Sequence, residues 1–350
     1  MANRTPKYIR IKNKIVKGIK DGSIKHKLPG ERVLAKKFNA SYMTVRKAVK
    51  GLVEEGILYK NATKGTFVSN RKMSPKVTKN IGFFLDESIK DGISSPYYSL
   101  VFKAIEKEVR NIGYNLTLFS DPDNLNPLNN QKKIDGVIVC FFPRIEKKIE
   151  EIKDLLPIVL LDNISSDLSI PSVTIDNFNS SRKSANYLNS LGHKRIGFIS
   201  GLLNSDICRD RLLGYTSVMS KNGMDKDENL IYKGDYSYES GERGAEYLLS
   251  LSKLPTAIMC ANDSMAIGAM KVVQAKGLAV PGDMSIIGFD DIEVALRVYP
   301  SLTTVAAPIE KIANKSVKML VSAINGNNLD YQHKILPAKL ITRNSCGPVK

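Results

Sequence analysis

The spacing of apolar residues changes at about residue 80 of the chain. Before that point, apolar side chains recur every three or four residues, which is the period of helices that bury one face. Beyond it, short β-branched runs such as IGFFLD (81–86) alternate with amphipathic stretches such as 97–112. This alternation is typical of parallel sheets with helices on both faces. The pattern therefore predicts a small helical module followed by a much larger α/β body.

The first 68 residues predict a helix, a helix-turn-helix and a hairpin. The apolar face of the first helix is formed by Tyr8, Ile11, Ile15 and Ile19. The stretch LPGERVLAKKFN (28–39) predicts a short second helix that is entered through Pro29 and Gly30. Ser41 is the expected N-cap of a third helix, whose apolar positions repeat at i, i+3, i+4, i+7 and i+8: Val45, Ala48, Val49, Leu52 and Val53. ILYKNATKGTFVS (57–69) then predicts two short strands joined by a turn that contains glycine.

Positive charge is concentrated in this module. The chain has a net charge of +17, and residues 1–75 hold 19 Lys and Arg against 4 Asp and Glu, a net charge of +15. The remaining 275 residues have a net charge of +2. Such an asymmetry indicates a module that binds a polyanion and is joined to a near-neutral body. Composition alone leaves open whether this partner is DNA, RNA or a membrane surface.

The arrangement of the elements favours double-stranded DNA. In a helix-turn-helix, the N-terminal residues of the second helix lie against base edges in the major groove. Thr44 and Arg46 occupy that part of the third predicted helix, and an arginine can donate two hydrogen bonds to guanine. The helix N-terminus at Ser41 can bind a phosphate, and the hairpin turn can reach the minor groove. We therefore predict DNA contacts from Arg32, Lys36, Lys37, Ser41, Tyr42, Thr44, Arg46, Lys47, Lys64, Gly65 and Thr66. For any single one of them, an ordinary solvated helix face is the alternative.

Several segments of this module resemble the gluconate-repressor (GntR) winged-helix family. They are LPGER (28–32), LAKKF (34–38), SYMTVR (41–46), GLVEEGIL (51–58) and KGTFV (64–68). The resemblance covers residues 5–69. It implies that operator DNA is contacted by Arg32, Ser41, Thr44, Arg46 and Gly65.

The rest of the chain predicts a linker and a two-lobed body. SNRKMSPKVTK (69–79) is polar, basic and without periodicity, which is typical of a linker. About ten strands follow, too many for one sheet, so we expect two α/β lobes. The predicted organisation is a winged helix-turn-helix domain over 1–69, a linker over 70–80 and a ligand-binding and dimerisation domain over 81–345.

Polar residues follow the predicted strands, at the edge where open α/β sheets bind ligands. These residues are Asp86, Asp162, Asp176, Asp235, Asn262, Asp263, Asp290 and Asp291. A strand-end carboxylate often caps the next helix instead, and Asp263 is expected to do so. Carboxylates and amides can bridge sugar hydroxyls, and aromatic rings can pack on a sugar. The candidate sugar site consists of Tyr97, Tyr98, Asp162, Arg211, Tyr236, Asn262 and Asp290. These residue types indicate a neutral polyol, although Arg211 also permits an acid or a phosphorylated sugar.

The body resembles the effector domain of the lac and galactose repressor (LacI/GalR) family over about residues 81–345. Segments that carry the resemblance are SSPYY (94–98), DGVIV (135–139), PIVLLDN (157–163), VTIDN (173–177), LGHKRIGFISG (191–201), RDRLLGY (209–215), residues 257–291 and PSLTTV (300–305). The resemblance implies a periplasmic-binding-protein-like fold of two lobes with a three-strand hinge, dimerisation, and the seven ligand positions named above. His193 lies in one of these segments and is expected to have a packing role.

The chain departs from that family in two places. Residues 120–136 are fewer than usual between two strands, which predicts a stunted helix there. The linker also shows no hinge helix, so the family's usual route of signal transmission does not carry over. A GntR-like head on a LacI-like body is the arrangement of the arabinose-repressor group, which this chain resembles in architecture without implying arabinose as the ligand.

These observations predict a homodimeric transcription factor, a repressor that a mono- or disaccharide releases from a palindromic operator. An activator, or an effector other than a sugar, is the main alternative. The N-terminal stretch has no apolar run before a cleavage site and no segment could span a membrane, so we expect a cytoplasmic protein. This expectation and the basic head argue against a transport-type sugar-binding protein. Sequence motifs of hydrolases, nucleotide-binding enzymes and zinc proteases are absent, so we expect no enzyme, cofactor or metal. The four widely spaced cysteines are expected to be buried free thiols.

Overall fold

The chain is described by a computed structural model. The structure describes residues 6–54, 57–61, 65–68, 78–86, 89, 91–125, 133–140, 146–164, 170–327 and 333–349. The chain divides into two compact units, residues 1–80 with 123–135 and residues 81–122 with 136–350. The predicted linker lies outside the described residues except at its end, Thr78 and Lys79. The predicted domain boundaries therefore stay predictions.

The first unit contains the predicted helix-turn-helix and hairpin. Its elements are α1 (Lys7–Lys20), α2 (Glu31–Lys37), α3 (Tyr42–Glu54), β1 (Leu58–Asn61) and β2 (Gly65–Val68). The two strands pair antiparallel, with Leu58 opposite Val68 and Asn61 opposite Gly65. The segment before α2 joins this hairpin, because the Leu28 N–H donates to the Thr66 carbonyl at 2.9 Å. The hairpin is thereby fixed to the chain that leads into the helix-turn-helix.

One apolar core holds the first unit together. Each element contributes at least one side chain to it, among them Ile15, Leu34, Val45, Leu52 and Leu58. The apolar stripes read from the sequence are therefore the faces that the helices bury. Because those faces point inward, the basic side chains of α2 and α3 are left on the surface.

The second unit alternates strands and helices as predicted. Its elements are β3 (Asn80–Leu85), α4 (Pro96–Asn111), β4 (Asn115–Phe119), β5 (Gly136–Cys140), α5 (Glu146–Ile152), β6 (Ile158–Leu161), β7 (Ser172–Ile175), α6 (Asn177–Ser190), β8 (Ile196–Ser200), α7 (Asp206–Lys221), β9 (Ile231–Lys233), α8 (Tyr238–Leu249), β10 (Ala257–Cys260), α9 (Asp263–Ala275), β11 (Ser285–Ile287), α10 (Glu293–Arg297), β12 (Thr304–Ala306), α11 (Ile309–Ile324), β13 (His333–Leu336) and β14 (Lys339–Ile341).

The first lobe is built on a six-stranded sheet in the order β13-β7-β6-β5-β3-β4. The strand pairs from β13 to β3 are parallel. Helices α4 and α11 pack against each other and cover the sheet. Their apolar faces meet the strands in a core that includes Phe83, Ile105 and Leu320.

The second lobe is built on a four-stranded parallel sheet in the order β11-β10-β8-β9. Helix α6 packs on α7, and α8 packs on α9. A second core, separate from the first, fills the space between these helices and the sheet and includes Phe198, Leu248 and Ile286. The presence of two sheets and two cores confirms the prediction of two lobes.

Three segments connect the lobes, near residues 175–177, 303–309 and 336–343. The second and third pair with each other as the antiparallel strands β12 and β14, with Thr304 opposite Ile341. Strands β13 and β14 were not predicted from the sequence. Each is short and pairs with a distant part of the chain, so a local pattern carries little sign of it.

The short segment 120–136 has little regular structure among its described residues. They include one turn of 3-10 helix, Pro122–Leu125. The rest of the predicted stunted helix, residues 126–132, lies outside the described residues. In the described part of the chain, no helix is both long and apolar enough to cross a membrane.

Helices α8 and α9 approach closely because glycines lie at their contact. A Cβ atom on Gly268 would stand 2.2 Å from the Tyr238 carbonyl oxygen of α8. Gly268→Ala should therefore force the two backbones apart and lower the free energy of unfolding of the body by about 1–3 kcal/mol. Urea denaturation followed by circular dichroism measures this loss. Glu246→Ala, at an exposed position of α8, is the control, and its free energy of unfolding should stay within about 0.5 kcal/mol of that of the unmodified protein. An unchanged urea midpoint for Gly268→Ala would contradict the prediction, because it would show that α8 and α9 can move apart without loss of stability.

Candidate nucleic-acid interface and effector cavity

A cavity of about 60 Å³ lies between the two lobes of the second unit. All seven candidate sugar-site residues line it: Tyr97, Tyr98, Asp162, Arg211, Tyr236, Asn262 and Asp290. Other lining residues were not in the candidate set, namely Ile89, Asp91, Ser95, Ile207, Asp235, Ser237 and Ser264. Of these, only Asp235 carried a signal in the sequence, since it follows a predicted strand. The seven residues chosen from the sequence thus lie together around one cavity, although the other lining residues were not predicted.

Three of the cavity residues have a backbone conformation that side chains other than glycine rarely adopt. Asp162, Tyr236 and Asp290 have φ angles of 54°, 70° and 114°. Such a conformation costs about 1–3 kcal/mol per residue and persists where the surrounding structure imposes it, often at functional sites. The Tyr236 ring also occupies the space beside Gly201, where a Cβ atom would lie 2.1 Å from it. The strand ends are thus bent to aim these side chains into the cavity.

Asp162 and Tyr97 form the polar wall of the first lobe. The Tyr97 hydroxyl donates to Asp162 Oδ2 at 2.6 Å, and the Tyr98 ring packs edge-on against that of Tyr97 at 5.2 Å. Burial raises the pKa of Asp162 to about 6, although the Tyr97 hydrogen bond and the charge of Arg211 both lower it. The carboxylate can therefore accept hydrogen bonds from a ligand at neutral pH.

Arg211 is held by contacts with the protein. Its Nε donates to Asn177 Oδ1 at 2.9 Å, and its Nη1 donates to the Ala261 carbonyl. The guanidinium carbon lies 3.6 Å from the centre of the Phe289 ring, and Nη1 lies 3.7 Å from Asp290 Oδ1. The side chain is only 7 % exposed. Its position is therefore set before any ligand arrives.

Asp290 lies beside this arginine at the end of β11. Burial raises the pKa of Asp290 well above its usual range, Arg211 opposes the shift, and the charges of Asp263 and Asp162 add to it. Two buried carboxyl groups and one guanidinium thus share the cavity.

The expectation that Asp263 caps helix α9 was wrong. The N-cap is Asn262, whose Oδ1 accepts from the Met265 N–H at 2.9 Å, and whose Nδ2 donates to the Tyr236 carbonyl at 2.9 Å. Asp263 is fully buried and accepts from the Thr304 hydroxyl at 2.5 Å and from the Ile292 N–H at 2.9 Å. The capping position needs an extended backbone, which residue 262 has with φ of −150°. Burial raises the pKa of Asp263 to about 7.

The remaining strand-end carboxylates lie outside the cavity lining. Asp176 caps α6 by accepting from the Asn179 N–H at 3.0 Å. Asp291 forms an ion pair with Arg343 at 2.6 Å, and Asp86 is buried. A strand-end position alone did not separate these structural carboxylates from Asp162 and Asp290.

His193 has the packing role expected of it, and three of the four cysteines are buried as expected. His193 is buried, with Nδ1 2.9 Å from the Thr256 hydroxyl and Nε2 3.0 Å from the Gly347 carbonyl. All four cysteines are free thiols, of which three are buried and Cys346 is half-buried.

The first unit presents a basic groove between α1 and α3. It is lined by Lys7, Tyr8, Met43, Thr44, Arg46, Lys47 and Lys50. The Lys47 ammonium lies 4.3 Å from the centre of the Tyr8 ring, so it is partly fixed. Arg46 is exposed and makes no hydrogen bond or ion pair within the described residues. Its guanidinium is therefore available to a partner.

The other predicted DNA contacts lie on α2, at the start of α3 and in the hairpin. The Ser41 hydroxyl accepts from the Thr44 N–H at 3.2 Å and lies 2.7 Å from the Thr44 hydroxyl, which confirms Ser41 as the N-cap of α3. Exposed positions are Arg32, Lys36, Lys37 and Tyr42. Gly65 opens β2 with φ of 105°, a conformation that favours glycine, and Thr66 is half-buried. Lys64 lies outside the described residues.

Met43 was not predicted as part of this surface. It is 66 % exposed and lies in the groove beside Thr44 and Arg46. Its position in the first turn of α3 was a signal, but an apolar residue there is hard to distinguish from a core residue by sequence alone.

Comparison with known proteins identifies both parts of the chain. Residues 7–68 match the family of bacterial regulatory proteins of the gntR type, and residues 185–346 match the periplasmic binding protein-like domain. The chain is 34 % identical to the HTH-type transcriptional repressor CytR of Escherichia coli K12 over 262 residues, 72 % of this chain and 76 % of the relative. It is 33 % identical to catabolite control protein A of Priestia megaterium over 283 residues, 79 % of this chain and 84 % of the relative.

A solved structure gives the same result. The putative transcriptional regulator LacI from Bacillus cereus subsp. cytotoxis NVH 391-98 has a TM-score of 0.73 and 27 % identity, covering 78 % of this chain and 100 % of the other. Fold and cavity thus define a bacterial regulator with a DNA-binding head and an effector-binding body. The chain belongs to the LacI family of transcriptional regulators and carries a GntR-family DNA-binding domain. It is a DNA-binding regulator with a small-molecule effector.

The buried carboxylate of Asp162 should destabilise the unliganded protein above pH 6. The folded state holds the proton up to about pH 6, whereas an unfolded Asp releases it near pH 3.9. Stability from this group is therefore fully present below pH 3.9 and is lost as the pH rises to 6. Asp162→Asn should increase the free energy of unfolding at pH 8 by up to about 3 kcal/mol, and much less at pH 4.

Thermal unfolding of the unliganded protein at both pH values measures this difference. Asp206→Asn removes an exposed carboxylate of α7 and serves as the control, with an expected change within about 0.5 kcal/mol. A loss of stability for Asp162→Asn at pH 8 would contradict the assignment of a destabilising charge.

Proposed function

We propose that the protein is a cytoplasmic, homodimeric repressor that a sugar releases from its operator. The observation that supports the sugar is the cavity, which combines carboxylates, an amide, a fixed guanidinium and three tyrosines in a regulator that takes a small-molecule effector. The similarity to repressors supports the direction of regulation.

The chemistry of the cavity suits a polyol. Asp162 and Asp290 can accept hydrogen bonds from ligand hydroxyls, Arg211 can donate one, and tyrosine rings can pack against C–H faces. A cavity needs about 10–15 Å³ to hold one buried water. The cavity of about 60 Å³ is therefore several times larger than the space that one water needs.

The basic groove supports the mode of DNA binding. Arg46 and Thr44 occupy the first turns of α3, and Arg32 and Lys36 are exposed on α2. We infer that α3 enters the major groove while α2 contacts phosphates. Two such heads on a symmetric dimer would bind two half-sites of a palindromic operator.

The sugar acts by favouring one closure angle of the two lobes. A ligand can shift DNA affinity only by its different affinities for the two states, typically about 1–3 kcal/mol or 5–150-fold. A body that binds the sugar without this coupling would leave the affinity for DNA unchanged.

Fluorescence anisotropy on the DNA upstream of the gene, with a panel of mono- and disaccharides, tests the proposal. We expect tight binding that weakens with salt and is relieved about 5–150-fold by one sugar. Arg211→Ala should keep DNA affinity and lose the sugar response. Arg209→Ala changes an exposed arginine of the same helix and should retain both. DNA binding that no sugar alters would rule out the sugar switch.

Arg46→Ala should relax base preference and weaken operator binding by about 1–3 kcal/mol, because it removes a bidentate contact to guanine. Selection of binding sites from random DNA measures this change. Lys36→Ala is the matched control: loss of a phosphate contact should weaken all sequences equally and reduce the salt slope by about 1. An unchanged selected motif for Arg46→Ala would refute base readout by this residue.

A further inference from the structure

We propose that the effector carries no anionic group: the cavity accepts a neutral polyhydroxylated ring and rejects phosphate esters and acids of the same ring. This inference rests on the proposed sugar effector and narrows its chemical class. The residue types alone left both classes open, because Arg211 is compatible with either. The contacts inside the cavity favour the neutral class.

The first observation is the balance of charge around the cavity. Among its described lining residues, Arg211 is the one cationic side chain, whereas Asp91, Asp162 and Asp290 are acidic. A further lining carboxylate, Asp235, lies 3.4 Å from Arg243 at the exposed side. A phosphate would therefore be placed next to more negative charge than positive charge.

The second observation is that the guanidinium of Arg211 is already engaged. Arginine binds phosphates and carboxylates best through two parallel N–H groups on one edge. One edge includes Nε, which donates to Asn177, and the other includes Nη1, which donates to the Ala261 carbonyl. Neither edge offers two unbonded nitrogens. Nη2 makes no hydrogen bond within the described residues, so its two N–H groups can donate to ligand hydroxyls.

The third observation concerns helix N-termini, which are the other common anion-binding groups in proteins. Four helices, α4, α7, α8 and α9, begin at the cavity. The start of α8 is capped by Ser237, which accepts from the Ser240 N–H at 3.1 Å, and the start of α9 is capped by Asn262. Helix α4 begins with Pro96, which has no N–H to donate. The free backbone donors that an anion requires are thus reduced at α8 and α9, whereas the starts of α4 and α7 have no side-chain cap.

The fourth observation is burial. Asp162 and Asp290 are 3 % and 8 % exposed, so a charge placed near them is poorly screened by water. Burial raises the pKa of both carboxyl groups above the usual range, and the charge of Asp162 raises the pKa of Asp290 further, whereas Arg211 lowers both. The cavity therefore has little tolerance for another negative charge. Hydroxyl groups, in contrast, supply further hydrogen-bond donors to both carboxyl groups.

Calorimetric titration of the full-length protein with matched ligands tests this inference. The ligands are neutral monosaccharides and nucleosides, each paired with its own phosphate ester, at pH 7.5. We expect every neutral compound that binds to lose at least about 100-fold in affinity as its phosphate ester, a difference of about 2.7 kcal/mol.

Two variants separate charge from shape. Asp290→Asn keeps the size of the side chain and removes its charge. It should therefore reduce the gap, meaning the ratio of the affinity for the neutral parent to that for the ester, at least about tenfold. Asp162→Asn is the second variant, in case the first fails to fold. Asp206→Asn, on the surface of α7, leaves the cavity unchanged and should leave the gap as in the unmodified protein.

The outcomes distinguish this inference from the sugar proposal. A phosphate ester that binds as tightly as its neutral parent, or more tightly, overturns the inference while the sugar effector stands. Failure of every pair to bind a protein that still binds DNA overturns the sugar effector, and this inference with it. An unchanged gap in both carboxamide variants would show that shape and not charge excludes the ester.

Discussion

The effector cavity is organised around one buried charge, the guanidinium of Arg211. A buried ion is tolerated only when it is paired and hydrogen-bonded, and here its partners come from three elements. Asn177 begins α6, Ala261 follows β10, and Phe289 and Asp290 follow β11. Fixing the arginine therefore also fixes the positions of these ends relative to one another. The cavity is a consequence of this network, because the same strand ends form its walls.

The cavity is built at a cost to the stability of the protein. Asp162, Tyr236 and Asp290 have strained backbones, and both carboxyl groups are buried beyond what one arginine can compensate. Natural proteins retain such features where function needs them. A neutral ligand with several hydroxyl groups would satisfy the carboxylates and recover part of that free energy. Ligand binding and lobe closure are thus linked through the same buried groups.

The two units of the chain differ in where their functional charges lie. The head gathers a net charge of +15 within residues 1–75. Most of its described basic side chains lie on the surface, because the apolar faces of its helices point inward, although Lys12 is buried. The body is near neutral and encloses its few functional charges, where low polarity strengthens each interaction. The head therefore suits a long polyanion and salt-dependent binding, whereas the body suits a small ligand recognised by individual hydrogen bonds.

The sequence by itself determined the helices of the head, the N-cap at Ser41, the alternating α/β body and the two lobes, because these features follow from local periodicity and capping. It also indicated the seven candidate residues, three of them at strand ends, and all seven line the cavity. Only the tertiary structure decided that Asn262 and not Asp263 caps α9, that β13 and β14 join distant strands, and that both edges of Arg211 are engaged. Each of these depends on partners far apart in the sequence, which a local pattern cannot specify.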